Sequence, residues 1–562
     1  MRASNLSLRL RSAGTAAVIS TWVLAAGIAP VEAAGSDSGS TATVSQADAT
    51  RFLEQSSFGP TSATVAEVQK LGIAGYPTQQ FATPATGYKG YVYYPSSPKE
   101  GCPAPIAPNC YRDNYTLLPI QMQFFRNALT GSDQLRQRVA FALSQIIVVS
   151  GQTVSQPYGM AAYQNLLLND AFGNFSKLLT DVTLSPVMGT YLNMVNNDWD
   201  PRSGENDPNE NYAREILQLF SIGLYELNID GSPKLAGGQS IPTYAQAQVD
   251  SFANVFTGWT YPALAGATAK WTDPVNYSGA MPGFPSHHDN GGQEVLLNGY
   301  TLPANGNQAK DLSEAIANIF NHPNVGPFIG KQLIQQLVTS NPSPAYVTAV
   351  AQAFNNDGNG VRGNLQAVIT AILTNPEARS ATGATGPTYG KLREPALMIT
   401  NVLRGIGGAT QTDGEFPSAA STSMSQEIFD SPTVFNYYQP SYPLPDSNLV
   451  GPPFGIYDAA TAFARYEFAN KLLSAPIPPD TSVTFITPTG TSLDLSAWNA
   501  AAATPATLLT LINNQFFHGT MSTALQNIVT GLVTQIPATD PAGRAKAALY
   551  VALTAPEFQV EQ

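Results

Sequence analysis

Residues 132–150 read SDQLRQRVAFALSQIIVVS. Leu135, Val139, Leu143, Ile146 and Ile147 recur at steps of three and four, which places them on one stripe of a helix. Ser132 stands where an N-cap would accept the first free backbone N–H. The same period recurs along most of the chain, at 117–129, 163–179, 244–256, 310–320, 327–338, 344–354, 364–373, 395–403, 459–473 and 505–517. A last helix near 542–553 closes it. Strand-like runs are few and short, at 88–94, 295–302 and 483–495. The fold class is therefore mainly α: a large helix-rich globular body with a few short β-hairpins and long loops. The stretches 196–208, 262–292 and 409–453 are too long to be mere connectors, and long loops in a compact protein usually carry function or are disordered.

The first residues have a different character. Arg2, Arg9 and Arg11 form a positive leader, 15–29 is free of charge, and Val31-Glu32-Ala33 offers a cleavage site. The apolar stretch is shorter than the roughly 20 residues a spanning helix needs, so 1–33 is read as a signal peptide cut after Ala33. Residues 34–48 are expected to be a disordered mature N-terminus, and 49–562 a single large helical domain or two fused lobes. No later apolar run is long enough to span a membrane, so the expected location is the periplasm or the extracellular space. Cleavage removes three Arg and one Glu, taking the net charge from −12 to −14. An acidic chain with few basic clusters is a poor partner for nucleic acid or anionic lipid. Charged residues make up 12% of the chain, about half the usual ~25%. A surface of Asn, Gln, Ser, Thr and Tyr suits sugars or other neutral polymers, and is also a common habit of exported proteins. Cys102 and Cys110 are the two cysteines. After export they are expected to close a Pro-rich loop as a disulfide.

The densest polar segment is 196–230, NNDWDPRSGENDPNENYAREILQLFSIGLYELNID. Asp207 as N-cap and Pro208 as first residue would start a helix. Tyr212, Ile216, Leu219 and Phe220 would be its buried stripe. Glu210, Asn211, Arg214, Glu215 and Gln218 would line the other side. On that face Glu210 could act as acid, base or ligand, Arg214 as an anion clamp and Glu215 as a second carboxylate. The same residues also satisfy a structural reading, with Asp207 and Glu210 as a capping box and Glu210–Arg214 as an ordinary ion pair. The loop before the helix holds Asp198, Asp200, Glu205 and Asp207, oxygen ligands enough for a calcium-like ion, without EF-hand spacing.

The second candidate is 286–292, SHHDNGG. Two of the four histidines stand here beside an acid, so His287, His288 and Asp289 are candidate metal ligands, and His288 and Asp289 candidate catalytic groups. Adjacent side chains point apart, so one imidazole can serve a site while the other packs. The plain alternative is a turn fixed by its own side chains. A divalent metal is the cofactor such residues could hold. His322 is expected to order a turn and His518 to cap a helix. Phe354–Gly363 reads as a helix-to-helix turn. No Gly-rich phosphate loop, Gly-x-Ser-x-Gly elbow, His-Glu-x-x-His pair or sulfatase-type Cys motif occurs.

Taken together, FLEQSSFGPT, LRQRVAFALSQIIVVS, LLTDVTLSPVMGTYLNM, PNENYAREILQLFSIGL, FANVFTGW, HHDNGG, HPNVGPFIGKQLIQQLVTSNPSPAYV, GVRGNLQAVITAIL, KLREP and SPTVFNYYQP occur in that order. The chain resembles the bacterial family called domain of unknown function 1800 (DUF1800), from about Ala49 to its end. The resemblance implies an exported, large, helical protein with no agreed activity. It also implies a partner from the family called domain of unknown function 1501, which is similar to sulfatases and alkaline phosphatases. The chain departs from the family's pattern after His-Asp, where Gln293 and Glu294 stand in place of an expected Lys. The functional expectation is a hydrolase or lyase acting on an extracellular polymer or glycoconjugate, metal-assisted or not. The alternative is a non-catalytic exported binding or assembly protein.

Overall fold

The helical periods of the sequence become helices packed on one continuous apolar core that runs from Ala49 to Phe558. The computed structural model describes residues 44–199, 208–289, 291–380, 386, 388–407 and 411–562. The expected signal peptide, most of the expected disordered segment, and Asp200, Glu205 and Asp207 lie outside them. Residues 46–48, expected to be disordered, already belong to the first helix, Gln46–Ser56, capped by the Ser45 hydroxyl. Residues 43–562 form one compact unit. Among the described residues the structure is mainly α, with four two-stranded antiparallel sheets. No described helix is long and apolar enough to cross a membrane.

The helix in 132–150 forms as Gln134–Ile146, with Leu135, Val139, Leu143 and Ile146 buried. Ser132 is not its cap. The Leu135 N–H instead donates to Gln80 Oε1 at 3.1 Å, while the Gln134 amide bonds the carbonyls of Ala128 and Gly131. A tertiary contact thus replaces a local one. The single helical pattern at 163–179 is two helices, Pro157–Asp170 and Phe175–Thr183. Asn174 breaks the pattern by accepting the Ser176 N–H as a new N-cap. The interval 409–453 is not a plain loop, since it contains the helix Glu415–Ser423.

The strand-like runs fare unevenly. Glu294–Val295 and Thr301–Leu302 pair as a hairpin with Glu294 opposite Leu302. In 483–495, Thr491–Ser492 is a strand, paired with Gln411–Thr412. The run 88–94 is no strand at all, because side chains take its terminal backbone groups. Asn165 both accepts from the Tyr88 N–H and donates to its carbonyl at 2.8 Å, and the Gln156 amide donates to Tyr94 O at 3.1 Å. The helix Pro541–Thr554 does not close the chain. Val560–Glu561 follows and pairs antiparallel with Lys391–Leu392. Cys102 and Cys110 form the expected disulfide. The segment 354–363 is the expected turn, with Asp357 Oδ1 accepting two backbone N–H groups.

Glu54 sits on the first helix and is completely buried. Its carboxylate accepts from Arg393 at 2.9 Å, from Asn401 at 3.0 Å and from His518 Nε2 at 2.5 Å. Burial pushes its pKa up, but Arg393 and His518 together outweigh burial and hold it at about 2. One carboxylate therefore joins the first helix, the helix Pro395–Ile406 and His518, two residues past the helix Pro505–Phe516. Removing one partner of such a buried pair leaves an uncompensated charge and costs about 3–5 kcal/mol. A Glu54→Gln variant should lose stability of that order at neutral pH by urea melts. The folded pKa lies below the reference value, so the charge contributes fully above pH ~4.5 and its contribution fades as pH falls toward about 2. Melts recorded from pH 6 down to pH 2.5 should show wild type and variant converging. A constant gap across that range would refute this account.

Candidate functional site

The helix after the acidic loop is Asn211–Gln218, and it begins three residues later than the sequence suggested. Pro208 is outside it. Its entry is fixed by asparagines: Asn209 Oδ1 accepts the Asn211 N–H at 2.9 Å, and Asn209 itself exchanges hydrogen bonds with the Asn197 side chain. The expected Asp207 cap lies outside the described residues. Tyr212, Ile216 and Phe220 are buried as expected, while Leu219 is half-buried.

Glu210 and Arg214 do share one face. They pair at 2.5 Å, and Gln246 bridges them, donating to Glu210 at 2.8 Å and accepting from Arg214 at 3.1 Å. Glu215 departs from expectation, because it turns inward and is 8% exposed. Its Oε2 has no hydrogen-bond partner, and burial raises its pKa against the opposing charge of Arg214. The three groups therefore do not form one exposed arc.

The two histidines point apart. His287 ends a single 3-10 turn, Pro285–His287, and its Nδ1 lies 2.8 Å from Asp198 Oδ2. Its ring stacks on Trp271 at 3.9 Å and 5° between planes. Side-chain exposure is 28% for His287 and 35% for Asp198, so the pair is reachable from solvent. Trp199 donates its backbone N–H to His287 O and packs close over Gly291. His288 is buried, with Nε2 3.3 Å from Asp311 Oδ2 and Nδ1 3.4 Å from the Thr257 carbonyl. Asp289 ties the loop, accepting the Gly291 N–H while its own N–H donates to Thr257 Oγ1. So His287, His288 and Asp289 have different partners. Among the described residues no group of three or more His, Cys, Asp or Glu side chains gathers as a metal site.

The helix Gln246–Val255 connects the two regions. Gln246 holds Glu210 at one end, and Asn254 holds Glu294 at 3.0 Å at the other. Eight residues of helix separate these two contacts by ~12 Å. The link that does exist is 196–199. Asn197 holds the start of the 211–218 helix, the Asn196 N–H donates to the Trp259 carbonyl, and Asp198 holds His287.

Two sites were legible only in part. His322 orders a turn as expected, its Nδ1 accepting the Asn324 N–H. His518 does follow a helix end, with φ of +50°, but its partner is Glu54 across the core. The left-handed φ that aims it there is set by the fold, and no local sequence pattern announces it.

The family model described as "Protein of unknown function (DUF1800)" matches residues 51–560. The chain belongs to that family. No curated protein and no solved structure matches it.

The Glu215 geometry makes a stability prediction. A carboxyl whose folded pKa is raised favours the folded state less as pH rises through the interval above ~4.5. Glu215→Gln should therefore melt higher than wild type at pH 7.5, and the difference should vanish by pH 4. A lower melting temperature at pH 7.5 would show that the charge is stabilising instead.

Proposed function

We propose that the chain is an exported hydrolase or lyase that cleaves an extracellular neutral polymer or glycoconjugate by acid–base chemistry centred on His287. The observation that carries this reading is the Asp198–His287 pair, half-exposed and flanked by Trp271 and Trp199. A carboxylate bound at Nδ1 fixes the imidazole's tautomer and orientation, leaving Nε2 to take or give a proton. In hydrolysis Nε2 takes a proton from the attacking water and returns it to the leaving oxygen as the bond to that oxygen breaks. In elimination it takes the proton from the carbon next to the carboxyl or ester of a uronate unit and returns it to the leaving oxygen as the double bond forms. Tryptophan faces beside the pair suit the apolar faces of sugar rings.

A second reading, a non-catalytic exported binding or assembly protein acting with a partner of the DUF1501 kind, is favoured by a different observation. Glu210 and Arg214 neutralise each other and are both engaged by Gln246. Their face is then a capped, salt-bridged helix rather than a catalytic one.

Purified protein assayed against neutral polysaccharides and glycoproteins for reducing ends, and against uronate-containing glycoconjugates for unsaturated products, separates the two. His287→Ala and Asp198→Asn should each lower turnover by about 10²–10⁴ with the melting temperature unchanged. Turnover that survives both substitutions places the chemistry elsewhere, and no cleavage of any polymer favours the binding reading. Arg214→Ala should change stability by less than about 1 kcal/mol, as for exposed ion pairs, and leave turnover intact.

A further inference from the structure

The run 88–94, YKGYVYY, has no regular secondary structure, bends at Gly90 with φ of +88° and pairs with no strand. Its ends are held by Asn165 and Gln156, so the segment between is fixed in place without a ladder. It forms one wall of an open cleft of about 200 Å³. The short helix Cys110–Tyr115, following the disulfide, supplies Asp113 and Asn114. Gln123 and Tyr158 come from the helices Leu118–Thr130 and Pro157–Asp170. Phe485 and Ile486 complete the cleft. That last segment is anchored from below. Arg112 and Asn109 both donate to the Ser482 carbonyl, and Arg112 lies 5.8 Å from the Phe485 ring centre.

We propose that this cleft is a binding subsite for a neutral oligosaccharide chain. Tyr91, Tyr94 and Phe485 are half-buried aromatics at its edge, and such rings present flat apolar faces at low entropic cost. The lining also holds the Lys89 ammonium and the Asn114 and Gln123 amides; each amide already donates within the protein, to Cys110 O and Asn127 Oδ1, and its oxygen can accept from a hydroxyl. Few apolar-sided ligands need that many hydrogen-bonding groups around a ring platform. Asp113 is already paired with Arg112 at 2.7 Å, which leaves one ammonium, Lys89, exposed to solvent. One solvated charge steers weakly, so the lining suits an uncharged, hydroxyl-bearing ligand rather than a polyanion or polycation. A proline-rich peptide would also use tyrosines, but it presents few groups for Asn114, Gln123 and Lys89 to bind. The inference concerns binding alone and stands apart from the chemistry assigned to His287.

The test is calorimetric titration of the full-length mature protein with cellohexaose, with N-acetylated chitohexaose and with a decaproline peptide. Saturable binding of at least one hexasaccharide is expected. Tyr91→Ala should weaken it about tenfold, and Lys89→Ala should weaken it severalfold. Lys89 is exposed, so that variant keeps its fold even where Tyr91→Ala loses stability. In a His287→Ala background, which removes the proposed chemistry, Tyr91→Ala should still weaken binding about tenfold, and this separates the cleft from the catalytic reading. The inference is overturned if neither hexasaccharide binds at millimolar concentration. It is equally overturned if binding is untouched by both cleft substitutions, or if decaproline binds in place of the sugars.

Discussion

A carboxylate with no contact to water holds this molecule's distant parts in register. Glu54 lies near the start of the described chain, Arg393 and Asn401 far along it, and His518 near its end. A charge in a low-dielectric interior is tolerated only when its lone pairs are matched by donors. Each of the three segments must therefore arrive in the right place, or the others lose their reason to be there. Hydrophobic contacts among the same helices are not directional, so they fill space but do not choose a register. Arg393 adds a second constraint, since its Nε donates to the Phe558 carbonyl and its guanidinium lies over the Phe558 ring.

The next residue extends the same logic. Glu394 accepts from Gln426 at 2.6 Å, from the Tyr438 hydroxyl at 2.8 Å and from Gln145 at 3.3 Å. Beside it lies a cavity of about 20 Å³ lined by Gln145, Gln332, Lys391, Glu394, Asn436 and Tyr438. That volume suits about one water molecule and excludes a substrate. Arg138, fully buried, donates to the Gln336 carbonyl, as does Lys391. Adjacent Arg393 and Glu394 thus face opposite networks, one reaching the amino-terminal helix and the other the segment after residue 425.

Much of this was open to reading from the sequence, and the division follows range. The helix at 134–146 was legible because its apolar stripe is a local property, repeated within one turn of the next. The disulfide was legible because two cysteines eight residues apart have no other partner of their kind. Ser132 failed as a cap because Gln80, 55 residues before Leu135, supplies the acceptor instead. The run 88–94 failed as a strand because β-propensity describes a half-buried surface, and no neighbouring strand was there to complete one. At the candidate site, Glu210 with Arg214 was legible as a four-residue step. The partnership of His287 with Asp198 joins residues 89 apart in sequence, and nothing local foretells it.

Charge economy ties the interior to the surface. With 12% charged residues, this chain places several of them, including Glu54, Arg138, Lys391, Arg393, Glu394, Arg465 and Glu561, inside. There they act as specific connectors whose removal is costly, rather than as solubilising groups. What faces outward is correspondingly poor in charge, and more of the tyrosines are buried than exposed. Such a surface is weakly steered toward charged partners and relies on close contact to recognise a ligand. Close contact requires preformed shape. The cleft beside the disulfide and the His287–Trp271 stack both supply it, because each is braced by hydrogen bonds from side chains remote in sequence. The same device, a long-range side-chain bond in place of a local backbone one, sets the core register and shapes the outer surface.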